Sequence, residues 1–119
     1  MKTLGDDFER LAGSWLQQRG LRLLARNFRA RAGEIDIVAR HGGHLVFIEV
    51  RARSSRAYCS AAASVDRRKQ RRIVLTARAF LQRHPDLADL PCRFDVVAFE
   101  PRQSGHGLTI RWITGAFTA

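Results

Sequence analysis

Cysteine, lysine and long apolar runs are scarce in this sequence. The shortage of cysteine and the shortage of long apolar runs each exclude a class of protein. The two cysteines, Cys59 and Cys92, match no metal-binding spacing, so we expect free thiols in a reducing compartment instead of a disulfide framework. No run approaches the roughly 18 apolar residues of a membrane span. The opening stretch, MKTLGDDFER, carries acids where a secretory signal peptide has an apolar run. The sequence therefore predicts a soluble cytoplasmic protein that does not enter the membrane.

Acidic residues are also few compared with basic ones. The chain of 119 residues has 21 lysines and arginines, of which only Lys2 and Lys69 are lysine, against 11 aspartates and glutamates. The formal net charge of +10 predicts a polyanionic partner, with nucleic acid first and an anionic membrane surface second. Arginine suits bidentate contacts with phosphate, although a GC-rich genome would give the same bias. At this length we expect a single domain, residues 1–119, with its own core.

The stretch over residues 33–53, GEIDIVARHGGHLVFIEVRAR, predicts a β-hairpin. Two runs rich in β-branched and apolar residues, 35–39 and 45–50, flank the pair Gly42-Gly43, which is a tight-turn signal. With these glycines at the centre of the turn, Asp36 lies opposite Glu49 and Glu34 lies opposite Arg51. Side chains alternate between the two faces of a strand. One face therefore gathers the three acids and Arg51, and the other is apolar, with Ile35, Ile37, Ala39, Val46, Ile48 and Val50.

Three acids on one patch of a hairpin are costly, because directly opposed side chains lie about 5 Å apart at Cβ and like charges there are destabilising. Strained charge clusters are over-represented at functional sites. The cluster fits a divalent-metal site, since Mg²⁺ prefers one or two carboxylates together with waters and phosphate oxygens. The alternative interpretation is a solvated hairpin face on which a Glu34–Arg51 pair offsets part of the repulsion.

The other elements complete an α/β domain. A helical apolar stripe predicts a helix over residues 4–19, and Glu9 borders this stripe, where it either leans over the sheet or lies on the rim. Strands are predicted at 21–29, 92–99 and 108–113, and a second helix from Ser64 or Asp66 to about Arg83. The order helix, three strands, helix, two strands indicates a mixed β-sheet flanked by helices. The stripe of the first helix consists of Phe8, Leu11, Ala12, Trp15 and Leu16.

Basic residues cluster around the hairpin and on the second helix. The helix has four arginines within six residues and only Asp66 as an acidic neighbour, which favours contact with phosphate. A solvated basic face is the usual explanation for charge on a helix and remains the alternative. The predicted nucleic-acid-binding residues are Arg29, Arg31 and Arg53 near the hairpin, and Arg67, Arg68, Lys69, Arg71 and Arg72 on the helix.

The segment Glu34-Ile35-Asp36, followed by residues 47–51 with the sequence FIEVR, resembles the YraN-like family of small bacterial proteins. That family is related to the restriction-endonuclease-like superfamily, whose signature is an aspartate followed by Glu-x-Lys on the next strand. The chain is also similar to archaeal Holliday-junction resolvases of this superfamily. The resemblance extends from Glu9 through Lys69-Gln70 and residues 93–97 to residues 116–117. It implies a restriction-endonuclease-like fold.

The resemblance also implies a role for each matching residue. Asp36 and Glu49 match the metal ligands of the superfamily, Glu9 matches a helix acid that assists the metal site, and Gln70 matches a polar helix residue near it. Arg51 stands where the superfamily has its lysine. Because the pKa of arginine lies above 12, Arg51 cannot accept a proton from water at neutral pH, but it can stabilise the charge of the transition state.

These observations lead to one leading hypothesis and two rivals. The leading hypothesis is an endonuclease that hydrolyses DNA phosphodiesters, branched DNA included, with Mg²⁺ or Mn²⁺ held by Asp36, Glu49 and either Glu9 or Glu34. The alternative is a catalytically inactive nucleic-acid-binding module of the same fold, for which Arg51 argues. A protein that uses only its charge, on an anionic membrane or a ribosome, is the third hypothesis. Because resolvases cut two strands symmetrically, a homodimer is one assembly to test.

Overall fold

The computed structural model describes residues 4–52, 65–102, 104 and 106–119. Arg53, Tyr58, Cys59 and the predicted loop after residue 52 lie outside the described residues. The elements follow the predicted order of helix, three strands, helix, two strands, which is confirmed. Their bounds are α1 Leu4–Gln18, β1 Arg22–Ala30, β2 Gly33–His41, β3 His44–Ala52, α2 Arg67–Arg83, β4 Cys92–Pro101 and β5 Leu108–Phe117, with a 3-10 helix at Pro85–Leu87 after α2.

The five strands form one mixed sheet in the order β1-β2-β3-β4-β5. Strands β3 and β4 are parallel, and every other neighbouring pair is antiparallel. A parallel pair needs a long crossover connection, and α2 belongs to that connection. The last strand, β5, lies at one edge of the sheet. None of the described helices is long and apolar enough to cross a membrane.

The two helices cover opposite faces of the sheet. Ala12 and Leu16 of α1 are fully buried against one face, and Ile73, Ala77 and Phe80 of α2 are buried against the other. Burying a large side chain such as Phe80 stabilises the fold by about 1.5–3 kcal/mol. The central strands are therefore apolar on both faces, and the polar face predicted for the hairpin is confined to its open end. Leu11, predicted in the buried stripe of α1, is 57% exposed, so that part of the prediction is wrong.

The hairpin has the predicted register. Ile37 pairs with Ile48, Val38 with Phe47 and the series continues to His41 opposite His44, with Gly42 in the turn at φ 59°. Positive φ favours glycine because it has no Cβ. The two glycines are thus sufficient to set which residues of β2 and β3 face each other.

The alternation of faces along β2 breaks at Asp36. Ile37 packs on the α1 side, as predicted, but Ile35 packs on the α2 side together with Val38, so the predicted face of Ile35 is wrong. Residues three apart on a regular strand point to opposite faces. Strand β2 is therefore irregular between Ile35 and Val38.

Strand β1 has a matching irregularity. Ala25 and Phe28, also three residues apart, both pack on the α2 side, and Asn27 between them has a φ of 52°. Asparagine tolerates this left-handed backbone better than most residues do. Since β1 pairs Phe28 with Ile35 on one side of this position, Asn27 and Asp36 lie at the same level of the sheet. The two irregularities together turn the side chain of Asp36 out of the regular pleat.

Helix α2 begins at a side-chain cap. The carboxylate of Asp66 accepts a hydrogen bond from the backbone N–H of Lys69 at 2.9 Å, as the sequence predicts. This bond satisfies one of the backbone donors that a helix leaves free in its first turn.

We expect Asp66→Ala to lower the free energy of unfolding by about 1 kcal/mol, because alanine cannot accept that bond. Urea denaturation followed by circular dichroism measures the change. Asp89→Ala, which removes an exposed acid outside the helix, is the matched control. Equal stabilities of the two variants would contradict the role of Asp66 as a cap.

Candidate functional site

The acidic residues meet where β2 and β3 diverge beyond the paired part of the hairpin. Carboxylate oxygens of Glu9, Glu34 and Asp36 lie within 4.8 Å of one another. Glu9 comes from α1, and the other two come from β2. The interpretation in which Glu9 leans over the sheet is therefore the one that the structure supports. Oxygen-rich groups at this spacing can share one hard divalent cation.

Asp36 is held in place by the backbone of β3. Its Oδ2 accepts a hydrogen bond from the N–H of Val50 at 2.8 Å. A side chain thus binds the main chain just beyond the last paired residues, Ile37 and Ile48. This hydrogen bond fixes the carboxylate of Asp36 at the point where β2 and β3 diverge.

Glu34 does not form the predicted ion pair with Arg51. It lies opposite Arg29 of β1, and its Oε2 is 3.5 Å from the Nε of Arg29. Arg51 instead lies beside Glu49, with 3.7 Å between its Nε and the Oε1 of Glu49. The divergence of β2 and β3 is the physical reason, because it removes the direct opposition that the hairpin register would have given.

Glu49 is buried, and a lysine from the opposite helix reaches it. The Nζ of Lys69 lies 2.8 Å from Oε1 of Glu49, whose side chain is only 7% exposed. The sequence predicts Lys69 as a contact to the nucleic-acid backbone, whereas the structure brings it into the acidic site. One signal was available, since Lys69 precedes the buried Ile73 by one helical turn and so faces the sheet.

Among the residues that the structure describes, two buried polar atoms at the site have no hydrogen-bond partner. They are Oε2 of Glu9 and Nε of Arg51. Arg26 lies near Glu9, but its Nη2 is 3.8 Å from Oε2, too far for a hydrogen bond. Native proteins satisfy nearly all buried polar groups, so such exceptions point to a missing partner. A ligand with both positive and negative groups would satisfy both atoms.

The site raises the pKa values of its two most buried acids. Burial raises the pKa of Asp36 to about 6, with a further contribution from the negative charge of Glu9, although the hydrogen bond from Val50 opposes the shift. Burial also raises the pKa of Glu49 to about 7, with the charge of Asp36 adding to it and Lys69 and Arg51 opposing it. The cluster therefore holds negative charge under strain at neutral pH, which a cation would relieve.

Gln70 does not join the acids. Its side-chain amide donates to the carbonyl of Val65 at 2.9 Å, and the residue lines a groove between α2 and the end of β5. Arg67, Arg68, Arg71 and Arg72 are all exposed on α2, as contact with a polyanion requires. Near the hairpin, Arg31 is exposed, Arg29 is partly committed to Glu34, and Arg53 lies outside the described residues.

Asp95 is an acid that the sequence does not distinguish from the others, yet it has a structural role. It is fully buried and accepts hydrogen bonds from Arg93 (2.9 and 3.0 Å), from the indole Nε1 of Trp112 (2.9 Å) and from the N–H of Gly115 (2.9 Å). Arg93 also contacts Nδ1 of His41 at 2.9 Å, so His41 does not point into solvent as its place at the turn suggests. A carboxylate with this many donors is satisfied and needs no metal.

The amino-acid sequence is similar to one group of bacterial proteins. Residues 8–99 match the model of a family described as uncharacterised protein family UPF0102. A UPF0102 protein of Methylobacillus flagellatus is 46% identical over 119 residues, covering 100% of both chains. One of Aeromonas hydrophila is 50% identical over 114 residues, covering 95% of this chain and 83% of the relative. One of Xanthomonas campestris is 50% identical over 113 residues, covering 95% and 89%.

Proposed function

Since this chain belongs to the uncharacterised protein family UPF0102, which is the YraN family that its sequence resembles, and the family description states no activity, we propose a function from the acidic site itself. The protein is a metal-dependent endonuclease that hydrolyses DNA phosphodiesters. One observation carries the proposal: the buried carboxylate of Glu49, whose pKa is raised by burial and by Asp36, lies beside the cationic side chains of Lys69 and Arg51.

The residues of the site fit a divalent cation. The donor set consists of carboxylate oxygens only, three of them lie within 4.8 Å, and Oε2 of Glu9 has no hydrogen-bond partner. Such hard oxygen donors suit Mg²⁺ or Mn²⁺. Asp36 would hold the ion together with Glu9 and with Glu34 or Glu49. When bound, a divalent ion at this position would polarise a phosphate oxygen and favour deprotonation of a water.

Arg51 and Lys69 supply the positive charge for the phosphate. Both flank Glu49, so a phosphate near that carboxylate would lie within reach of a guanidinium and an ammonium. The Nε–H of Arg51 makes no hydrogen bond with any residue in the described part of the chain. Donors that are preorganised around developing negative charge lower the barrier to phosphoryl transfer. Lys69 also supplies a lysine near the site although Arg51 replaces the one on the strand.

A catalytically inactive nucleic-acid-binding module is the second candidate. The observation in its favour is the contact between Lys69 and Glu49, because an ammonium at 2.8 Å neutralises the carboxylate that a metal would need. In this case the acids and bases of the site would satisfy one another, and only the exposed arginines would contact the ligand.

A cleavage assay separates the two candidates. Labelled linear, flapped and four-way-junction DNA would be incubated with the protein in Mg²⁺, Mn²⁺ or EDTA. We expect cleavage with at least one metal, none in EDTA, and a loss of cleavage in both Asp36→Asn and Glu49→Gln. Binding without cleavage of any substrate would favour the inactive module. The same assay with RNA substrates tests whether DNA is the substrate.

Nucleic-acid binding should weaken steeply with salt, because the partner releases counterions as arginines neutralise its phosphates. Replacing Arg67, Arg68, Arg71 and Arg72 by alanine should lower affinity for all sequences alike and reduce the slope of log K against log salt. Fluorescence anisotropy with labelled DNA at several salt concentrations measures both. The charge-matched control replaces Arg10, Arg22, Arg40 and Arg111, which lie on other elements. A flat salt dependence of the wild type would contradict nucleic-acid binding.

We also propose that the protein acts in the cytoplasm and pairs as a homodimer on its substrate. The thiol of Cys92 is free and exposed, which suits a reducing compartment. Two copies would supply the two sites that symmetrical cutting of a branched substrate needs. Light scattering with and without a four-way junction measures the assembly.

A further inference from the structure

A groove lies beside α2, on the flank that faces the end of β5. Its volume is about 770 Å³. The arginines Arg67, Arg71 and Arg78 line it, together with the apolar side chains of Val74, Leu75 and Phe117. The described residues that line the groove include no acidic side chain. The groove is thus cationic and apolar at the same time, and its partner must carry negative charge next to a flat or apolar group.

Phe117 is a fixed ring at one side of this groove. It stacks on Phe94 with 5.0 Å between ring centroids and 18° between the planes, and Phe94 stacks in turn on Phe47 at 5.6 Å and 26°. Phe47 is buried in the core. A ring that is anchored in this way has lost its rotational freedom before any ligand arrives. One face of Phe117 is covered by Phe94, so its remaining surface is the part available to the groove.

The arginines lie on one side of the helix at the correct spacing to follow a chain of charges. Arg67 and Arg71 are one turn apart, roughly 6 Å along the axis, and Arg78 lies roughly 10 Å further. Leu75, between them, is 50% exposed and lines the groove. A polyanionic strand could therefore run along α2 while an apolar group enters between the helix and Phe117.

The groove and the acidic site lie at the same end of α2. Lys69 in the first turn contacts Glu49, while Arg67 and Gln70 of that turn and Arg71 at the start of the next line the groove. A strand with one phosphate at the carboxylates would have its neighbouring nucleotides beside the groove. This proximity favours a nucleic acid over an acidic peptide as the occupant.

We propose that this groove binds an unpaired nucleotide next to the phosphate at the acidic site, with its base stacked on Phe117 and the adjoining phosphates on Arg67, Arg71 and Arg78. The inference rests on the proposed function and narrows its substrate class to duplexes with a single-stranded extension or a strand that leaves the duplex. Stacking on aromatic side chains is tolerant of sequence and contributes a large share of single-strand affinity. A base in the interior of a duplex cannot make this contact, because neighbouring base pairs cover both of its faces.

Binding measurements in EDTA test the inference without requiring cleavage. Three labelled probes are compared by anisotropy: a blunt duplex, the same duplex with a short thymidine extension, and the same duplex with an extension of abasic sites. We expect the thymidine extension to bind about tenfold more tightly than the abasic one, within the range that a stacked base contributes. Phe117→Leu should abolish this difference while leaving the affinity for the blunt duplex unchanged, and Phe117→Trp should retain it.

Arg71→Ala should weaken binding of both extended probes and lower the slope of log K against log salt by about one. Arg111→Ala removes an exposed arginine of β5 outside the groove, and it should not weaken binding of the extended probes more than binding of the blunt duplex. Thermal melting of each variant confirms that it is folded. If the wild type binds the thymidine and abasic extensions equally tightly and still binds the blunt duplex, the groove does not bind an unpaired base. The proposed function would be unaffected by that result. In that case an acidic peptide would be the occupant to test. Failure to bind any of the three probes would overturn both.

Discussion

Arg51→Ala should lower metal-dependent DNA cleavage by about two to three powers of ten, as the loss of one preorganised donor to a transition state typically does. The reason is that its buried Nε–H, which has no hydrogen-bond partner within residues 4–52, 65–102, 104 and 106–119, lies next to Glu49, where a phosphate would approach. Arg51→Lys should retain or improve the rate, because an ammonium can reach the same phosphate. Single-turnover cleavage of the best DNA substrate, with Mg²⁺ or Mn²⁺, measures both rates.

The affinity for DNA separates a catalytic effect from a binding effect. It should change little in either variant, because Arg51 is one cation among many. Arg111→Ala, which removes an exposed arginine of β5, is the matched control and should leave the rate within a few-fold of the wild type. If the wild type is inactive because the strand lysine is missing, Arg51→Lys should create metal-dependent cleavage. A wild type and an Arg51→Lys variant that are equally inert with both metals would contradict the enzyme and leave a binding module.

The metal-free protein should lose stability as the pH rises from about 4 to about 7. The pKa values of Asp36 and Glu49 are raised to about 6 and about 7, so both groups bind protons more tightly when the chain is folded than when it is unfolded. The stabilisation that comes from protonating Asp36 and Glu49 is fully present below about pH 4 and is lost as each group releases its proton. At 1.36 kcal/mol per pKa unit, each of the two shifts taken alone corresponds to a loss on the order of 3 kcal/mol.

Asp36→Asn should remove most of this dependence. An asparagine oxygen can still accept the hydrogen bond from Val50 but carries no charge, so the variant should melt at a higher temperature than the wild type at pH 8 in EDTA. Thermal melting between pH 4 and pH 8 measures the effect, and Mg²⁺ should stabilise the wild type more than the variant. Asp7→Asn, an exposed acid of α1, is the control. A much lower melting temperature of Asp36→Asn in EDTA would show that the charge of Asp36 is structural.

The parts of the fold that local chemistry determines could be predicted from the sequence. The Gly42-Gly43 pair specifies the hairpin register, and Asp66 specifies the start of α2, because in both cases the deciding contacts lie within a few residues of chain. Asp36 and Glu49 could be selected from the hairpin register, whereas Glu9 could be selected through the family resemblance, because its place at the border of the α1 stripe leaves two orientations open. The structure brings carboxylates of Glu9, Glu34 and Asp36 together, and the catalytic role of these residues stays a prediction.

The remaining features depend on contacts between distant residues. The face of Ile35 depends on the left-handed backbone of Asn27 on the neighbouring strand, which no alternation pattern within β2 could indicate. Lys69 reaches Glu49 of β3 only because α2 packs on that face of the sheet, mainly against β2 and β1. Strand β5 extends to Phe117, beyond the predicted residue 113, because Gly115 at φ 59° donates its N–H to Asp95 and the pairing with β4 resumes at Phe94.

The parallel pairing of β3 with β4 has a consequence for the order of folding. Strands β1, β2 and β3 are joined by short turns, so their pairing requires only the closure of small loops. The pairing of Leu45 with Cys92 instead closes a loop of about two-fifths of the chain. Closing the larger loop costs more entropy and comes later on average. The early three-stranded meander already contains Asp36 and Glu49 but not Lys69, which arrives with α2. Asp36 and Glu49 therefore repel each other before Lys69, the main counter-charge, is in place. Acidic pH should accelerate the docking of α2 least of all the folding steps, because protonation of Glu49 also removes its attraction to Lys69.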